Sequence, residues 1–223
     1  MEVVYEDNHI IIVNKAAGEI VQGDKTGDRP LSEEVKDYLK QKYNKPGNVF
    51  CGVVHRIDRP VAGLVIFAKT SKALTRLNDM LREGKIHKTY WALVEGHRMP
   101  PEDEIESLLI SDGRLNKTFV AEHPAPDAKL SRLRYKTIAT GDRYTLLEVE
   151  LLTGRKHQIR VQLSSTGTPI KGDLKYGARR SNRDGGISLL ARRIEFEHPV
   201  SHQPVVVEAA PLPDMLKLLT PAS

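Results

Sequence analysis

Short runs of apolar residues, each bounded by turn residues, predict several β-strands along the chain. A run at 10–13 ends at Asn14-Lys15 and is followed by a turn at Gly18. The segment Gly63–Lys69 is compact, apolar and rich in residues that favour strands, so we expect it to be a central strand. Further strands are expected at 88–96, 144–152 and 205–207.

Apolar positions at helical spacing predict helices among these strands. Ser32, followed by two glutamates, indicates the start of a helix over 32–43. Ser71 is expected to cap a second helix that stops at Gly84. Two more helices are predicted, one through Ile159 and Leu163 and one over 213–219. Because helices and strands do not alternate strictly, the sequence predicts a mixed α+β fold, and the lack of a clear linker favours a single domain over 1–223.

The composition is that of an ordinary soluble globular protein. The chain has 223 residues, of which 39% are hydrophobic and 28% charged. No apolar stretch approaches the roughly 18 residues that span a bilayer. The N-terminus lacks the basic and apolar regions of a signal peptide, and the single cysteine, Cys51, suits a reducing compartment. We therefore expect a cytoplasmic protein with no membrane association.

The charge balance suits a polyanionic partner without identifying one. The net charge is +5, and many basic proteins bind no nucleic acid. The distribution is more informative, because eight basic residues cluster within about thirty positions, namely Arg155, Lys156, Arg160, Lys171, Lys175, Arg179, Arg180 and Arg183.

The segment His55-Arg56-Ile57-Asp58-Arg59 places charged residues between two apolar runs. It is either a charged turn with an Asp–Arg pair or a catalytic loop held between strands. The extra Ile57 excludes the His-Arg-Asp loop of protein kinases. The sequence also lacks a His-Glu-x-x-His pair, a cysteine cluster, a nucleophile elbow and the phosphate-binding glycine loops. No metal, nucleotide or flavin cofactor is therefore expected.

Two later segments combine basic residues with turn residues. In 153–160, His157 and Arg160 share a face if the helix begins at 157, although a basic helix face in water is the alternative. In 169–177, two lysines in a turn-rich loop suit a phosphate backbone, although loops of this kind are common.

Together these segments resemble the RluA-type family of pseudouridine synthases, from about residue 3 to 210. Each family motif is moderately specific, but here they occur in the family's order: Val13-Asn14-Lys15, His55-Arg56-Ile57-Asp58, Gly63–Lys69, Lys88-Thr89-Tyr90, 153–160, 169–177, and a late Phe196-Glu197-His198-Pro199. The chain departs from the usual family residues at positions that bear on RNA contacts, namely Pro60-Val61-Ala62, Gln162, Thr168 and Leu190.

The resemblance implies an RNA-modifying isomerase with the pseudouridine synthase catalytic fold: a mixed, mostly antiparallel sheet, flanking helices and a central RNA-binding cleft. Asp58 is then the essential carboxylate, either as nucleophile at C1′ or as the base that generates a glycal. Arg160 is its counter-ion, and Tyr90 packs against the target base. The chain starts directly at the catalytic domain, so it is expected to lack the N-terminal S4 RNA-binding module of some relatives.

The partner implied is a stem-loop of ribosomal or transfer RNA, bound without a cofactor by a protein expected to be a monomer. Arg56 is expected to fill the space that the flipped uridine vacates. The remaining RNA contacts are expected from His55, Arg59, Arg155, Lys156, His157, Lys171 and Lys175.

Two other functions remain open from the sequence. A catalytically silent RNA-binding relative, such as a ribosome-assembly factor, would keep the fold without the reaction. A nucleoside-acting glycosidase that uses Asp58 would release free uracil. The sequence does not indicate which RNA or which uridine is the target.

Overall fold

The computed structural model describes residues 1–97 and 100–219. The strands are β1 Glu2–Glu6, β2 Ile10–Lys15, β3 Gly52–Val53, β4 Ala62–Ala68, β5 His87–Glu95, β6 Glu102–Asp112, β7 Lys117–Val120, β8 Lys129–Thr140, β9 Tyr144–Leu151, β10 Leu189–Glu197 and β11 Pro204–Glu208. The helices are α1 Leu31–Lys42, α2 Ser71–Arg82, α3 Gln158–Ser165 and α4 Pro213–Lys217, with a 3₁₀ turn at Leu174–Tyr176.

The chain divides into two compact units. The first contains Met1–His87 and Ala191–Ala209, and the second contains Lys88–Leu190 with the residues from Ala210 onward. The single domain expected over 1–223 therefore stays a prediction. In the described part of the chain, no helix has the length and apolar character needed to cross a bilayer.

The first unit is built on the two apolar strands that the sequence indicates. β2 pairs antiparallel with β1 and with β4, and β10 pairs antiparallel with β11. Every residue of β4 is buried, as expected for a central strand. The sequence did not predict β1, because only its ladder with β2 marks it as a strand.

The two helices of the first unit lie close to their predicted positions, with one correction. Ser71 is the first residue of α2 and not its cap. The capping side chain is that of Thr70, whose hydroxyl accepts a hydrogen bond from the Ala73 amide at 3.1 Å. Both residues are good capping types, and only the backbone conformation distinguishes them: Thr70 is extended.

The second unit is an antiparallel sheet in the order β5-β9-β8-β6-β7. The sequence predicted β5 and β9 but missed β6, β7 and β8. The reason lies in β8, where buried Leu133 and Tyr135 alternate with exposed arginines. These arginines, Arg132 and Arg134, form ion pairs with Glu104 on β6, so charged side chains cover one face of the strands.

A buried carboxylate ties the N-terminal strand to its neighbours. The side chain of Glu6 is 7% exposed and accepts hydrogen bonds from Tyr38, Lys42, Tyr43 and Lys69, at 2.7–3.0 Å. Burial raises the pKa of Glu6, but these four donors outweigh burial and hold the pKa at about 2, below its usual 4.5. Glu6 therefore stabilises the fold as an anion.

A glycine fixes the approach of β10 to β4. Gly63 has φ +117°, and a Cβ built on it lies 2.4 Å from the Ala191 carbonyl oxygen. Both the backbone conformation and the contact therefore require glycine at this position.

We expect Gly63→Ala to lower the free energy of unfolding by more than the roughly 1–3 kcal/mol of a strained backbone, because the clash is with main-chain atoms. Urea unfolding measures the loss. Gly23→Ala is the matched control, since its Cβ meets nothing within 4 Å. Equal stability of the two variants would contradict the explanation.

For Glu6→Gln we expect a changed dependence of stability on pH. Because the pKa of Glu6 is lower in the folded chain, the unfolded chain binds the proton first. The wild type then loses stability as the pH falls from about 4.5 to about 2. The variant should lack this part of the profile and be less stable at pH 7.

Urea unfolding at a series of pH values tests the Glu6 prediction. Glu33→Gln, which removes an exposed partner of Lys36, should change stability at pH 7 by less than about 1 kcal/mol. Parallel pH profiles for the wild type and Glu6→Gln would show that Glu6 is not the titrating group.

Candidate functional site

Asp58 lies in an irregular segment between β3 and β4, and backbone contacts hold this segment. The His55 ring nitrogen Nε2 accepts a hydrogen bond from the Ile66 amide at 3.2 Å, and the Val54 amide donates to the Ile66 carbonyl at 3.4 Å. Ile57 is buried at 9% exposure. His55 therefore extends the ladder of β4 with its side chain, and this fixes the residues that lead to Asp58.

The turn itself begins at Asp58. Its carbonyl accepts from the Val61 amide at 3.0 Å, and its side chain is half-buried. Arg56 and Arg59 are exposed on either side. Arg59 bonds the Gly18 carbonyl at 3.0 Å and pairs with Asp28, so it ties the turn to the loop after β2.

Lys15 is a site residue that sequence reasoning did not single out. It is 1% exposed, and its Nζ donates to the carbonyls of Ala16, Glu19 and Arg59 at 2.8, 2.9 and 3.1 Å. Burial lowers the pKa of Lys15 to about 8, against the opposing charges of Glu19 and Asp58. Lys15 therefore brings positive charge close to Asp58. The available signal was the Asn-Lys pair that ends the apolar run.

In the second unit, Arg160 on α3 forms a buried ion pair with Asp173. Its Nε and Nη2 donate to the two carboxylate oxygens at 2.7 and 2.9 Å, and the two side chains are 5% and 1% exposed. A bidentate pair of this kind fixes the plane of the guanidinium. Sequence reasoning identified Arg160 but missed Asp173 as the residue that orients it.

Tyr176 packs against this pair. The Arg160 Cζ lies 5.0 Å from the centre of the Tyr176 ring, and the Tyr176 hydroxyl accepts from the Thr118 amide at 2.9 Å. His157 Nδ1 lies 2.8 Å from the same hydroxyl. Burial raises the pKa of Tyr176 above its usual 10, so it stays a neutral phenol.

His157 and Arg160 were expected to share a helical face if the helix began at 157, but it does not. His157 is the N-cap of α3 and has the left-handed conformation, with φ +54°. The helix therefore starts one residue later than that face requires, although both side chains still contact Tyr176.

Tyr90 lies on β5 opposite Val149 and is 6% exposed. Lys88 lies two residues earlier, on the same face of the strand. Burial lowers the pKa of Lys88. This strand therefore presents an aromatic ring and a partly desolvated ammonium group side by side.

The residues expected to bind RNA fall into two groups. Arg155, Lys156 and Lys175 are exposed, as a phosphate contact requires. Lys171 is half-buried and donates to the Asn182 side chain at 2.5 Å, and His157 is buried. None of these observations tests RNA binding, so the contacts stay predictions.

Three of the departures from the family pattern lie in the interior. Gln162 is fully buried, and its amide nitrogen lies within 3.2 Å of the Ile105 carbonyl, the Ser107 hydroxyl and the Ser131 carbonyl. Thr168 and Leu190 are 6% and 1% exposed. These three side chains are therefore turned away from solvent.

Each unit thus brings together part of the expected site. The first places Lys15 and His55 around Asp58, and the second places Asp173 and Tyr176 around Arg160. The pairing of Asp58 with Arg160, and the approach of Tyr90 to both, stay predictions. In the residues that the structure describes, no three histidine, cysteine or acidic side chains gather as metal ligands.

Comparison with known proteins identifies relatives along the whole chain. A family model described as RNA pseudouridylate synthase matches residues 9–165. The uncharacterized RNA pseudouridine synthase YhcT of Bacillus subtilis is 32% identical, over 98% of this chain and 71% of that protein. The ribosomal large subunit pseudouridine synthase C of Vibrio vulnificus is 33% identical, over 93% and 64%. The tRNA pseudouridine synthase C of Salmonella typhimurium is 31% identical, over 94% and 85%.

Solved structures show the same fold. Human RNA pseudouridylate synthase domain containing 4 matches with a TM-score of 0.81 at 18% identity, covering 98% of this chain and 91% of that one. Human RNA pseudouridylate synthase domain containing 1 matches with a TM-score of 0.73 at 22% identity, over 96% and 85%. The predicted α+β fold with a mostly antiparallel sheet is confirmed, while the central cleft stays a prediction.

We expect Asp173→Asn to lower the free energy of unfolding by about 3–5 kcal/mol, because it takes the negative charge from beside a buried guanidinium. Urea unfolding followed by circular dichroism measures the change. The control is Glu150→Gln, which removes a 43% exposed partner of Arg134 in the same unit. If both variants lose the same small amount, the Arg160–Asp173 pair is not a structural anchor.

Proposed function

Because the chain belongs to the RNA pseudouridylate synthase family, we propose that it isomerises specific uridines of ribosomal or transfer RNA to pseudouridine, with Asp58 as the catalytic carboxylate. Membership confirms the resemblance seen in the sequence motifs, and it makes the chain an isomerase that acts on RNA. The observation that carries the proposal is the extent of the family match, because residues 9–165 include Asp58, Tyr90 and Arg160.

The reaction requires a carboxylate at the sugar. The bond between N1 and C1′ breaks, C5 bonds to C1′, C5 loses its proton and N1 gains one, so the base is reattached without net hydrolysis. Asp58 acts either by attacking C1′ or by removing a sugar proton to give a glycal. The turn that begins at Asp58 suits both roles, since the contacts of His55 and Lys15 hold its backbone.

Two cations interact with the Asp58 carboxylate in this proposal. Lys15 supplies one from within the first unit, through its effect at close range. Arg160 supplies the second and pairs with Asp58 during the reaction. Asp173 supports this role, because it holds the guanidinium in one plane and thereby sets the direction of its remaining N–H groups.

Tyr90 completes the catalytic set as the residue that packs on the flipped base. Its phenol ring stacks on uracil, and its hydroxyl takes part in removing the C5 proton. Lys88, on the same face of β5, adds positive charge near the base. The cost of unstacking the uridine, a few kcal/mol, is offset by this stacking and by Arg56, which fills the vacated space.

The RNA contacts that we propose are of two kinds. Arg155, Lys156 and Lys175 are exposed and bind phosphates, which gives affinity without sequence information. Target choice then depends on the shape of the loop and its unstacked bases. The Vibrio relative is named for large-subunit ribosomal RNA and the Salmonella relative for transfer RNA. Both classes of RNA are therefore included as substrates in the assay below. We also propose that the protein is a monomer in the cytoplasm, a reducing compartment that suits a chain with a single cysteine, Cys51.

We expect Asp58→Asn to abolish tritium release from RNA that contains [5-³H]uridine while leaving the fold and RNA affinity intact, because the amide can neither attack C1′ nor accept a proton. The substrate is total RNA from cells that lack the gene. Asp37→Asn, which changes an exposed aspartate on α1 of the same unit, is the matched control and should keep its activity.

Three outcomes separate the functions. Tritium release with pseudouridine in the digested RNA supports the proposal. Free uracil in the supernatant would indicate a glycosidase. A wild type that binds RNA but releases no tritium would indicate a catalytically silent relative. Mapping pseudouridines by carbodiimide modification and reverse transcription, with and without the gene, then identifies the target uridine.

A further inference from the structure

A series of stacked cations and aromatic rings leads from Arg160 to the hairpin formed by β6 and β7. The Arg160 guanidinium lies 5.0 Å from the centre of the Tyr176 ring. The Lys117 ammonium lies 5.3 Å from that centre and 5.4 Å from the centre of the Phe119 ring. The series thus connects a residue of the proposed catalytic set to the outer strand of the second unit.

The series ends at the protein surface. Tyr176 is 5% exposed, whereas Phe119 is 38% exposed. Leu115, in the turn of the same hairpin, is 61% exposed. Two large apolar side chains of one hairpin are therefore open to solvent.

The hairpin is rigid enough to act as a preformed surface. The Asp112 carboxylate accepts from the amides of Arg114 and Leu115 at 2.7 and 3.0 Å, which closes the turn. Lys175 donates to the Asn116 carbonyl at 3.1 Å, and the Thr118 amide donates to Tyr176. The turn and β7 are therefore both anchored to the segment that follows Asp173.

The charge of this surface identifies the kind of partner. Over 109–120, where β6 pairs with β7, the cations Arg114 and Lys117 accompany one acid, Asp112, which already binds the turn amides, and Lys175 adds a third cation at the turn. The other acids of β6 lie at 102–106, in the part of the strand that pairs with β8. Aromatic rings flanked by cations bind single-stranded RNA by base stacking and phosphate contact. A protein strand added to β7 is disfavoured, because the Tyr176 hydroxyl already occupies the Thr118 amide.

We propose that the β6–β7 hairpin is an RNA-binding platform, on which Phe119 stacks an unpaired base of the substrate while Lys117 and Arg114 bind its phosphates. This deepens the proposed function and rests on the part of it that makes RNA the bound substrate. The platform recognises loops and not helices, because a base within a duplex offers no free face to Phe119.

Fluorescence anisotropy with two RNAs tests this platform. The probes are a fluorescein-labelled stem-loop with unpaired uridines and a perfectly paired duplex of the same stem. We expect Phe119→Ala to raise the Kd for the stem-loop about tenfold, with less than about a twofold change for the duplex. Phe119→Trp should keep the affinity, and Phe119→Leu should not.

The matched control is Ile138→Ala, which truncates a 43% exposed side chain on β8 of the same unit and should bind both RNAs like the wild type. Lys117→Gln should make the slope of log association constant against log salt concentration less steep by about 1, the value for one lost phosphate contact. Circular dichroism confirms that each variant is folded.

The platform proposal is wrong if Phe119→Ala binds the stem-loop with unchanged affinity, or if Phe119→Leu binds it with full affinity. Unchanged affinity in Phe119→Ala would also fit a surface that binds a protein partner. Tritium release by the wild type separates this from the proposed function. If Phe119 contributes to stem-loop binding but the wild type releases no tritium, the catalytic proposal fails and the platform stands.

Discussion

The buried ion pair between Arg160 and Asp173 is the interaction that organises the second unit. Two charges that are almost fully withdrawn from water are stable only if each is bound closely by the other. This requirement brings the start of α3, the loop at 172–173 and the 3₁₀ turn to one point. It also explains why Tyr176 and His157 pack there, since their ring and hydrogen bond fill the space around the guanidinium.

In the first unit, the Asp58 turn is held by hydrogen bonds between side chains and main-chain groups. In the proposed function, the turn that begins at Asp58 must stay open to a substrate, so it cannot be buried in a hydrophobic core. It is held instead by His55, whose ring accepts an amide of β4, and by Lys15, which binds the Arg59 carbonyl. Gly63 then allows β10 to approach directly beside the turn. These contacts hold the backbone that carries the Asp58 carboxylate.

Much of this fold was predictable because β2 and β4 are apolar on both faces. Such strands appear in the sequence as short, uninterrupted apolar runs. The strands β6 and β8 were not predictable in the same way. Their outward residues are arginines and glutamates whose pairing, such as Arg132 with Glu104, joins positions far apart in the chain. Within each strand, the local sequence shows only charged residues and does not reveal their partners.

The sequence motifs identified Asp58 and Arg160 as candidate site residues, and their catalytic roles stay predictions. The roles of Asp173 and Lys15 depend on burial and on partners, and neither is visible in the sequence. The same is true of the left-handed backbone at His157, because few histidines adopt it and nothing local requires it. Tertiary packing determines the roles of Asp173 and Lys15 and the backbone conformation at His157.

The burial of Lys15 has a consequence for the range of conditions in which the site keeps its charge. With a pKa of about 8, this ammonium loses its proton at a mildly alkaline pH at which exposed lysines are still fully charged. One positive charge then disappears from beside Asp58, and the hydrogen bonds to three loop carbonyls lose their ionic character. The electrostatic environment of the carboxylate is therefore set by a neighbour that titrates close to neutrality.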